Sequence, residues 1–310
     1  MKDFHIQWHI TEICNLDCFH CYKEPHREEL SLFQLKNIID NIIEFLKERN
    51  LTLILTITGG EPFLKPNLYE LLEYIDKIEL IRKINFITNG IILPSDNLKR
   101  IKKLNTIYIS IEGISSSIND KIRGEGNFKK VFSNINYFVE NYKNIGIMTT
   151  LMRTNFFHIK ESFYFFIKEF FKLGIKEIIF ERFIPVGKAK YLKNEMLSQE
   201  EIFEFYSVVS ELLNVDFEEL KKYPAVKIVN PFKGTFNPHK LLVYGANCIF
   251  GKDGFAVLCD GTVYPCRRFD EEIGNFLKNQ NNFIFLDEKI NHLKMNNNSK
   301  CFFCYAAVKN

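Results

Sequence analysis

Three cysteines near the start of the chain have the type and spacing of a metal-binding loop. Cys14, Cys18 and Cys21 stand in the order C-x3-C-x2-C, and thiolates suit zinc and iron–sulfur clusters. Zinc would need a fourth ligand; His20 is nearby, but its place between Cys18 and Cys21 is unfavourable for joining the same tetrahedron. A four-iron cluster held by three thiolates would instead leave one iron open to bind and activate a small molecule.

A second group of cysteines lies at the other end of the chain. Its spacing, C-x17-C-x34-C-x2-C, offers four thiolates to structural zinc or to a complete iron–sulfur cluster. Its members are Cys248, Cys266, Cys301 and Cys304.

Cys259 is a further thiol within the segment GFAVLCDGTVYPC, which predicts a β-hairpin. A two-residue turn at Asp260-Gly261 would pair Cys259 with Thr262 and Cys266 with Phe255. The two thiols would then lie about 13 Å apart at roughly 3.3 Å per residue, too far to share one cluster. Cys259 is therefore interpreted either as a buried thiol that packs like a hydrophobic side chain or as a hydrogen-atom donor.

Composition narrows the class of protein. The chain has 310 residues, 46% hydrophobic and 25% charged, with a net charge of +3. The length suits one large domain with an appendage or two domains, and the charge shows no basic excess of the kind that nucleic-acid binding requires.

No secretory signal is apparent, and residues 155–174 carry too many charges for a membrane span. They predict one amphipathic helix with a phenylalanine stripe in the core. Eight cysteines without a signal predict a reducing, cytoplasmic location.

Alternating β-rich and helical patterns predict an α/β fold with a parallel sheet. Strands are predicted at 4–10, 51–57, 83–88, 106–112, 145–151 and 176–184, and a helix at 30–48 begins with Ser31 as its N-cap. Six such units are compatible with a full barrel, an open sheet or a partial barrel. Residues 186–247 predict helix plus an irregular connection, and the character of the chain changes from residue 248.

The strand faces predict a polar cavity. In the first strand, apolar residues such as Phe4 and Trp8 alternate with polar residues. Helices must cover the apolar face, so the polar face is expected to line a cavity. Candidate lining residues are Gln7, His9, Tyr108 and Arg182.

The cysteine spacing and four later motifs resemble the radical S-adenosylmethionine (SAM) superfamily. The loop reads NLDCFHCY, a form similar to that family's signature. TGGEP at 58–62, Thr88-Asn89-Gly90, SIEG at 110–113 followed by NDKIRGEGNF, and RFIPVGKA at 182–189 resemble the family's later motifs in order. The resemblance covers residues 5 to about 190. It implies a partial (β/α)6 barrel with parallel strands, plus a small C-terminal α+β extension that carries the β-hairpin.

The resemblance also implies the site residues. Cys14, Cys18 and Cys21 would hold a [4Fe–4S] cluster, Glu61 would meet the amino group of SAM, and Arg123 would pair with its carboxylate. Glu112 replaces the more usual Asp, so its reach is one methylene longer. The SAM-binding residues so implied are His20, whose backbone would lie beside the adenine, Gly59, Gly60, Glu61, Asn89, Ser110, Glu112, Arg123 and Ile184.

The C-terminal segment resembles the SPASM/Twitch extensions of that superfamily. The resemblance implies a second [4Fe–4S] cluster on Cys248, Cys266, Cys301 and Cys304. Because the sequence stops six residues after Cys304, only one such auxiliary cluster is expected, as in the Twitch form. The predicted domains are residues 1–190 (partial barrel), 191–247 (helical linker) and 248–310 (auxiliary-cluster domain).

By resemblance, the expected function is reductive cleavage of SAM to a 5′-deoxyadenosyl radical that abstracts a hydrogen atom from a peptide. Crosslinking, epimerisation and side-chain oxidation are the expected outcomes, with Cys259 as the candidate hydrogen-atom donor. A flavodoxin- or ferredoxin-type donor would supply the electron, and a separate protein would supply peptide recognition. The alternatives are a small-molecule dehydrogenase, a cofactor-biosynthesis enzyme, and a non-catalytic iron–sulfur electron carrier or zinc module. No nucleic acid or membrane is expected as a partner.

Overall fold

The computed structural model describes residues 1–23, 28–246, 253–269 and 271–278. Three of the four predicted ligands of the auxiliary cluster, Cys248, Cys301 and Cys304, lie outside the described residues. Within the described ranges, no helix is both long enough and apolar enough to cross a lipid bilayer.

Six parallel strands form the middle of the sheet and follow one another in chain order. Their pairing is parallel throughout, which requires a crossover connection between each strand and the next. The predicted strands are confirmed to within two residues at each end. They are β1 (Lys2–His9), β2 (Leu51–Thr58), β3 (Ile81–Thr88), β4 (Leu104–Ser110), β5 (Ile145–Leu151) and β6 (Glu177–Arg182).

Helices connect these strands and cover the apolar face of the sheet. The first begins after Ser31, whose hydroxyl accepts the backbone N–H of Gln34 at 3.4 Å, so the predicted N-cap is confirmed. Phe4 of β1 meets Phe45 of this helix with ring centroids 5.8 Å apart. The helices are α1 (Leu32–Glu48), α2 (Leu68–Ile75), α3 (Ser116–Arg123), α4 (Asn127–Asn141), α5 (Arg153–Glu161), α6 (Phe163–Lys172), α7 (Gln199–Leu213) and α8 (Phe217–Leu220).

The aromatic segment after β5 is two helices, so the expectation of one helix over 155–174 is wrong. Helices α5 and α6 meet at Ser162, whose hydroxyl donates to the carbonyl of His158 at 2.6 Å. Such a bond to the preceding turn competes with the helical ladder and bends the chain. The core role of the stripe is confirmed, because Phe163, Phe166 and Phe170 are fully buried.

Further strands extend the sheet at both edges. After α8, β7 (Ala225–Val229) pairs with β6, and β8 (Leu242–Ala246) pairs with β7. The expected irregular connection over 223–239 is therefore partly wrong, because its VKIV run forms a strand. At the other edge, β9 (Gly254–Val257) joins β1 in parallel, followed by β10 (Thr262–Tyr264) and β11 (Gly274–Asn275).

The hairpin of β9 and β10 is confirmed, but its predicted register is wrong by one residue. Val257 pairs with Val263, and the N–H of Leu258 donates to the carbonyl of Thr262 at 2.8 Å. The loop therefore has three residues, Cys259 to Gly261, and Gly261 takes the left-handed conformation at φ 82°. A three-residue loop commonly ends in such a residue, so Cys259 lies in the loop rather than opposite Thr262.

Candidate functional site

The cysteine loop (residues 10–23) follows β1 and lines a cavity of about 350 Å³ at the carboxyl ends of the parallel strands. Ligand sites in parallel α/β folds lie at this end of the strands. All three cysteines of the loop line the cavity, and each is partly exposed. Seven of the nine predicted SAM-binding residues line the same cavity: His20, Gly59, Gly60, Asn89, Ser110, Arg123 and Ile184.

Gly59 and Gly60 bring the end of β2 against the backbone of the cysteine loop. The N–H of Gly60 donates to the carbonyl of Thr11 at 2.7 Å, and the N–H of Glu61 donates to that of Ile13 at 2.8 Å. A β-carbon at Gly59 would lie 2.3 Å from the oxygen of Thr11, and one at Gly60 would lie 2.1 Å from the oxygen of Ile13. The glycines are therefore required for this close approach, whatever ligand binds beside them.

Glu61 is fully buried and does not itself line the cavity. Its carboxylate accepts the hydroxyl of Thr88 at 2.9 Å and the backbone N–H of Asn89 at 2.8 Å. Burial raises the pKa of Glu61 to about 7, because it outweighs these hydrogen bonds, which lower the pKa. Glu61 thereby fixes the turn after β3 and positions Asn89. The side-chain amide of Asn89 donates to the side-chain oxygen of Asn15 in the cysteine loop at 2.8 Å.

Glu112 is also fully buried, and it joins three parts of the site. Its carboxylate accepts two hydrogen bonds from the guanidinium of Arg123, at 2.6 and 3.1 Å, and one from the backbone N–H of Thr150 at 2.7 Å. The same carboxylate lies 3.1 Å from Nε2 of His20. Burial raises the pKa of Glu112, but Arg123 and His20 outweigh burial and lower it to about 2. Glu112 thus holds His20 and Arg123 against the cavity as a fixed anion.

Two residues that sequence reasoning missed also hold the cysteine loop. Glu29 accepts the hydroxyl of Thr11 at 2.8 Å and the N–H of Glu12 at 2.7 Å. The ammonium of Lys65, which is buried, lies 2.7 Å from the same carboxylate. No motif marks this pair, because its partners are a backbone group and a hydroxyl that only the fold brings together.

Three thiolates are a ligand type that iron–sulfur clusters use. Burial raises the pKa of the Cys18 thiol to about 11 and also raises that of Cys21, so a metal must displace protons to bind. In the described ranges, no three His, Cys, Asp or Glu side chains stand where they could hold a metal ion. The three thiols nonetheless face one cavity, where Nδ1 of His20 is buried without a described hydrogen-bond partner.

The remaining lining comes from the sheet and from the segment after β10. Gln7 and Arg182 line the cavity as expected, together with Glu181, Arg267 and Arg268. His9 and Tyr108 are not among the described lining residues. Tyr108 instead donates its hydroxyl to Glu177, and the ring of His9 packs on that of Tyr22 with centroids 5.4 Å apart.

The structure separates Cys266 of the second cysteine group from Cys259. Cys266 lines the cavity. Cys259 is fully buried, and its sulfur lies 4.0 Å from Oε1 of Glu12. Cys259 is not among the described residues that line the cavity.

Comparisons with known proteins give a family and a fold. The family model described as "Radical SAM superfamily" matches residues 8–165. The AdoMet-dependent heme synthase of Oleidesulfovibrio alaskensis is 27% identical over 288 residues, which is 87% of this chain and 71% of that protein. The antilisterial bacteriocin subtilosin biosynthesis protein AlbA of Bacillus subtilis is 24% identical, over 91% of this chain and 59% of that protein.

Among solved structures, the chain matches Streptococcus suis SuiB bound to the precursor peptide SuiA. The TM-score is 0.69 at 17% identity, and the match covers 100% of this chain and 73% of that one. A likeness at this identity shows the fold, which is a partial barrel with a central parallel sheet.

Replacement of Glu112 tests the buried ion pair. Glu112→Gln should lower the free energy of unfolding at pH 7 by about 3–5 kcal/mol, because it leaves the guanidinium of Arg123 buried without its anion. The folded-state pKa is about 2 against an ordinary 4.5, so this stabilisation is present above pH 4.5 and is lost as the pH falls towards 2. Urea unfolding at pH 7 and pH 3.5 measures both effects.

Glu48→Gln is the matched control, because the side chain of Glu48 is 59% exposed in its pair with Arg49. It should cost less than about 1 kcal/mol. Equal losses in the two variants, or a Glu112→Gln loss that does not shrink at low pH, would contradict the assigned role.

Replacement of Cys18 tests the metal chemistry of the loop. After anaerobic reconstitution with iron and sulfide, Cys18→Ala should hold about four fewer iron atoms per chain than the unmodified protein. Cys259→Ala, a matched change outside the cavity lining, should hold the full amount. Iron and sulfide analysis measures both, and full iron content in Cys18→Ala or zinc in its place would overturn the assignment.

Proposed function

Because the chain belongs to the radical SAM superfamily, we propose that it cleaves SAM reductively and uses the resulting radical to abstract a hydrogen atom from a peptide. One observation carries this proposal: the three thiols of the cysteine loop and seven of the predicted SAM-binding residues line the same cavity. An iron–sulfur electron carrier or a zinc module would have no need of a ligand cavity beside its cysteines.

The cofactors have assigned places in this proposal. Cys14, Cys18 and Cys21 would hold a [4Fe–4S] cluster with one open iron, and SAM would occupy the cavity beside them. When reduced, such a cluster supplies the electron that splits SAM into methionine and the 5′-deoxyadenosyl radical. The chain's own residues bind and orient SAM and the substrate and shield the radical from competing reactions, as the protein does in other cofactor enzymes.

The fixed charges of the site are arranged before any ligand arrives. Arg123 is nine-tenths buried, bonded twice to Glu112, and faces the cavity. A guanidinium fixed in this way can donate hydrogen bonds to a carboxylate, and the arginine side chain loses no further conformational entropy when the carboxylate binds. We therefore assign the carboxylate of SAM to Arg123. Glu112 acts as a positioning residue rather than as the direct SAM contact expected from the sequence.

The amino group of SAM is assigned to Glu61. Glu61 carries the expected carboxylate, but its described bonds go to Thr88, Asn89 and Phe63. Its raised pKa, near 7, suits a group that becomes fully ionised when a cation binds beside it. Glu61 therefore remains the proposed acceptor for the ammonium.

An auxiliary cluster is proposed on the second cysteine group. Cys266 lines the cavity, so a cluster that it ligates would lie next to the substrate. Its other three proposed ligands lie outside the described residues. A flavodoxin- or ferredoxin-type protein would supply the electron from outside.

Peptide modification is the favoured reaction class, in line with two similar proteins. AlbA takes part in biosynthesis of the bacteriocin subtilosin, and SuiB has been solved with its precursor peptide. The similarity to an AdoMet-dependent heme synthase over 87% of this chain favours a second candidate, namely modification of a cofactor precursor.

Deuterium transfer tests the proposal and separates the two candidates. The reduced protein should cleave SAM to 5′-deoxyadenosine, and a deuterated precursor peptide encoded beside the gene should pass deuterium to that product. Mass spectrometry of the 5′-deoxyadenosine measures the transfer. No cleavage of SAM by the reconstituted protein would overturn the proposal as a whole, and transfer only from a deuterated porphyrin precursor would replace the peptide with a cofactor precursor.

A further inference from the structure

Arg267 is a buried cation that the SAM site does not use. It follows Cys266 after β10, is 9% exposed, and lines the cavity. Its Nη2 donates to the backbone carbonyl of Tyr22 at 2.5 Å, and its guanidinium lies 4.9 Å from the centre of the Tyr22 ring. Both contacts are to neutral groups of the cysteine loop, so they fix the guanidinium without neutralising its charge.

Part of this guanidinium also lacks a hydrogen-bond partner in the part of the chain that the structure describes. Its Nε is buried and has no hydrogen-bond partner among the described residues. A buried N–H without an acceptor costs free energy, and a buried charge without a counter-ion costs more. An anionic ligand with two adjacent oxygens would satisfy both requirements.

Two other arginines in the cavity lining have acidic partners. Arg123 is paired with Glu112, and Arg268 is paired with Glu181. Lys23 is fixed differently, by donating to the carbonyl of Glu12 at 2.9 Å. Among the described salt bridges, none involves Arg267. The cavity is cation-rich as a whole, since its described lining holds five cationic side chains (Lys23, Arg123, Arg182, Arg267 and Arg268) and one carboxylate (Glu181).

The chemistry of the guanidinium selects the ligand. Arginine presents a planar fork of N–H donors whose spacing matches the two oxygens of a carboxylate. Arg182, which is also nine-tenths buried, lines the same cavity next to Tyr206. The cavity that Arg267 lines therefore also holds another buried arginine.

We propose that Arg267 binds a carboxylate of the substrate and so selects a peptide with an aspartate or glutamate beside the residue to be modified. This inference rests on the proposed function, because it requires the substrate to enter the cavity beside SAM. It assigns Arg267 a specificity role and leaves the carboxylate of SAM to Arg123.

Affinity selection from a peptide library tests this inference without knowledge of the natural substrate. The probe is a random library of hexapeptides with acetylated and amidated ends, so that side chains carry the only carboxylates. The reconstituted protein with bound SAM should enrich peptides that contain Asp or Glu by about tenfold, as expected for a paired, charge-assisted hydrogen bond. Mass spectrometry of the retained peptides gives the enrichment.

Variants separate recognition from folding. Arg267→Gln should abolish the acidic enrichment, Arg267→Lys should retain part of it, and Arg267→Glu should favour Lys and Arg instead. Arg82→Gln is the matched control, because Arg82 is an exposed arginine at the start of β3, and it should enrich like the unmodified protein. Thermal unfolding followed by circular dichroism checks that each variant is folded. Arg267→Glu adds a second check, because a preference for Lys and Arg in place of Asp and Glu requires an intact binding site.

Glutarate, added as a competitor, distinguishes the source of the carboxylate. Glutarate binding that depends on Arg267, without acidic enrichment in the library, would keep the carboxylate site and overturn the peptide part of the proposed function. Acidic enrichment that persists in Arg267→Gln, or the absence of both enrichment and glutarate binding in the unmodified protein, would overturn the carboxylate site. Failure of SAM cleavage is a separate result that concerns the proposed function alone.

Discussion

The cavity depends on one backbone contact, the approach of Gly59 and Gly60 to the cysteine loop. Two N–H groups at the end of β2 donate to the carbonyls of Thr11 and Ile13, immediately before the first cysteine. Any side chain on either glycine would overlap these carbonyls. The parallel pairing of β1 with β2 brings the two segments together, and the glycines let them close to hydrogen-bonding distance. The loop that carries the three thiols is thereby fixed to the rigid sheet.

Buried charge organises the rest of the site. Glu61 and Glu112 are both fully buried, yet burial sets the pKa of the first near 7 while arginine and histidine partners set that of the second near 2. The pKa values of these two carboxyl groups are therefore shifted in opposite directions, because Glu61 is bonded mainly to neutral donors and Glu112 is bonded to a guanidinium. The fixed anion orients Arg123 and His20, and Arg267 is the proposed site for a further anion. A positively lined cavity suits ligands with carboxylates more than it suits neutral ones.

Much of this arrangement could be predicted from the sequence. Hydrophobic alternation located the six parallel strands, because each strand must bury one face, and the ordered motifs located the loops at their carboxyl ends. Contacts that depend on tertiary partners could not be predicted. The VKIV run after α8 is a strand because β6 offers it an edge, and Ser162 divides the aromatic helix through one hydroxyl. The predicted hairpin register is wrong by one residue because the sequence Asp260-Gly261 is compatible with both a two-residue turn and a three-residue loop that ends in Gly261.

Site roles were harder to predict than site positions. The sequence placed Glu112 near the ligand, but only the fold shows that Arg123, His20 and Thr150 surround its carboxylate. Glu29 and Lys65 carry no motif, and Arg267 has no signature of its own in the sequence beyond its place directly after Cys266. In each case the missing information was a partner distant in the chain.

Electron paramagnetic resonance of the dithionite-reduced protein tests most directly whether the three-thiolate site leaves an iron open for SAM. The reduced protein should show the signal of a [4Fe–4S] cluster whose g values change when SAM is added, since SAM would become a ligand of the open iron. The signal that responds to SAM should be missing in Cys18→Ala. A cluster signal that SAM leaves unchanged would contradict an open iron in this cavity.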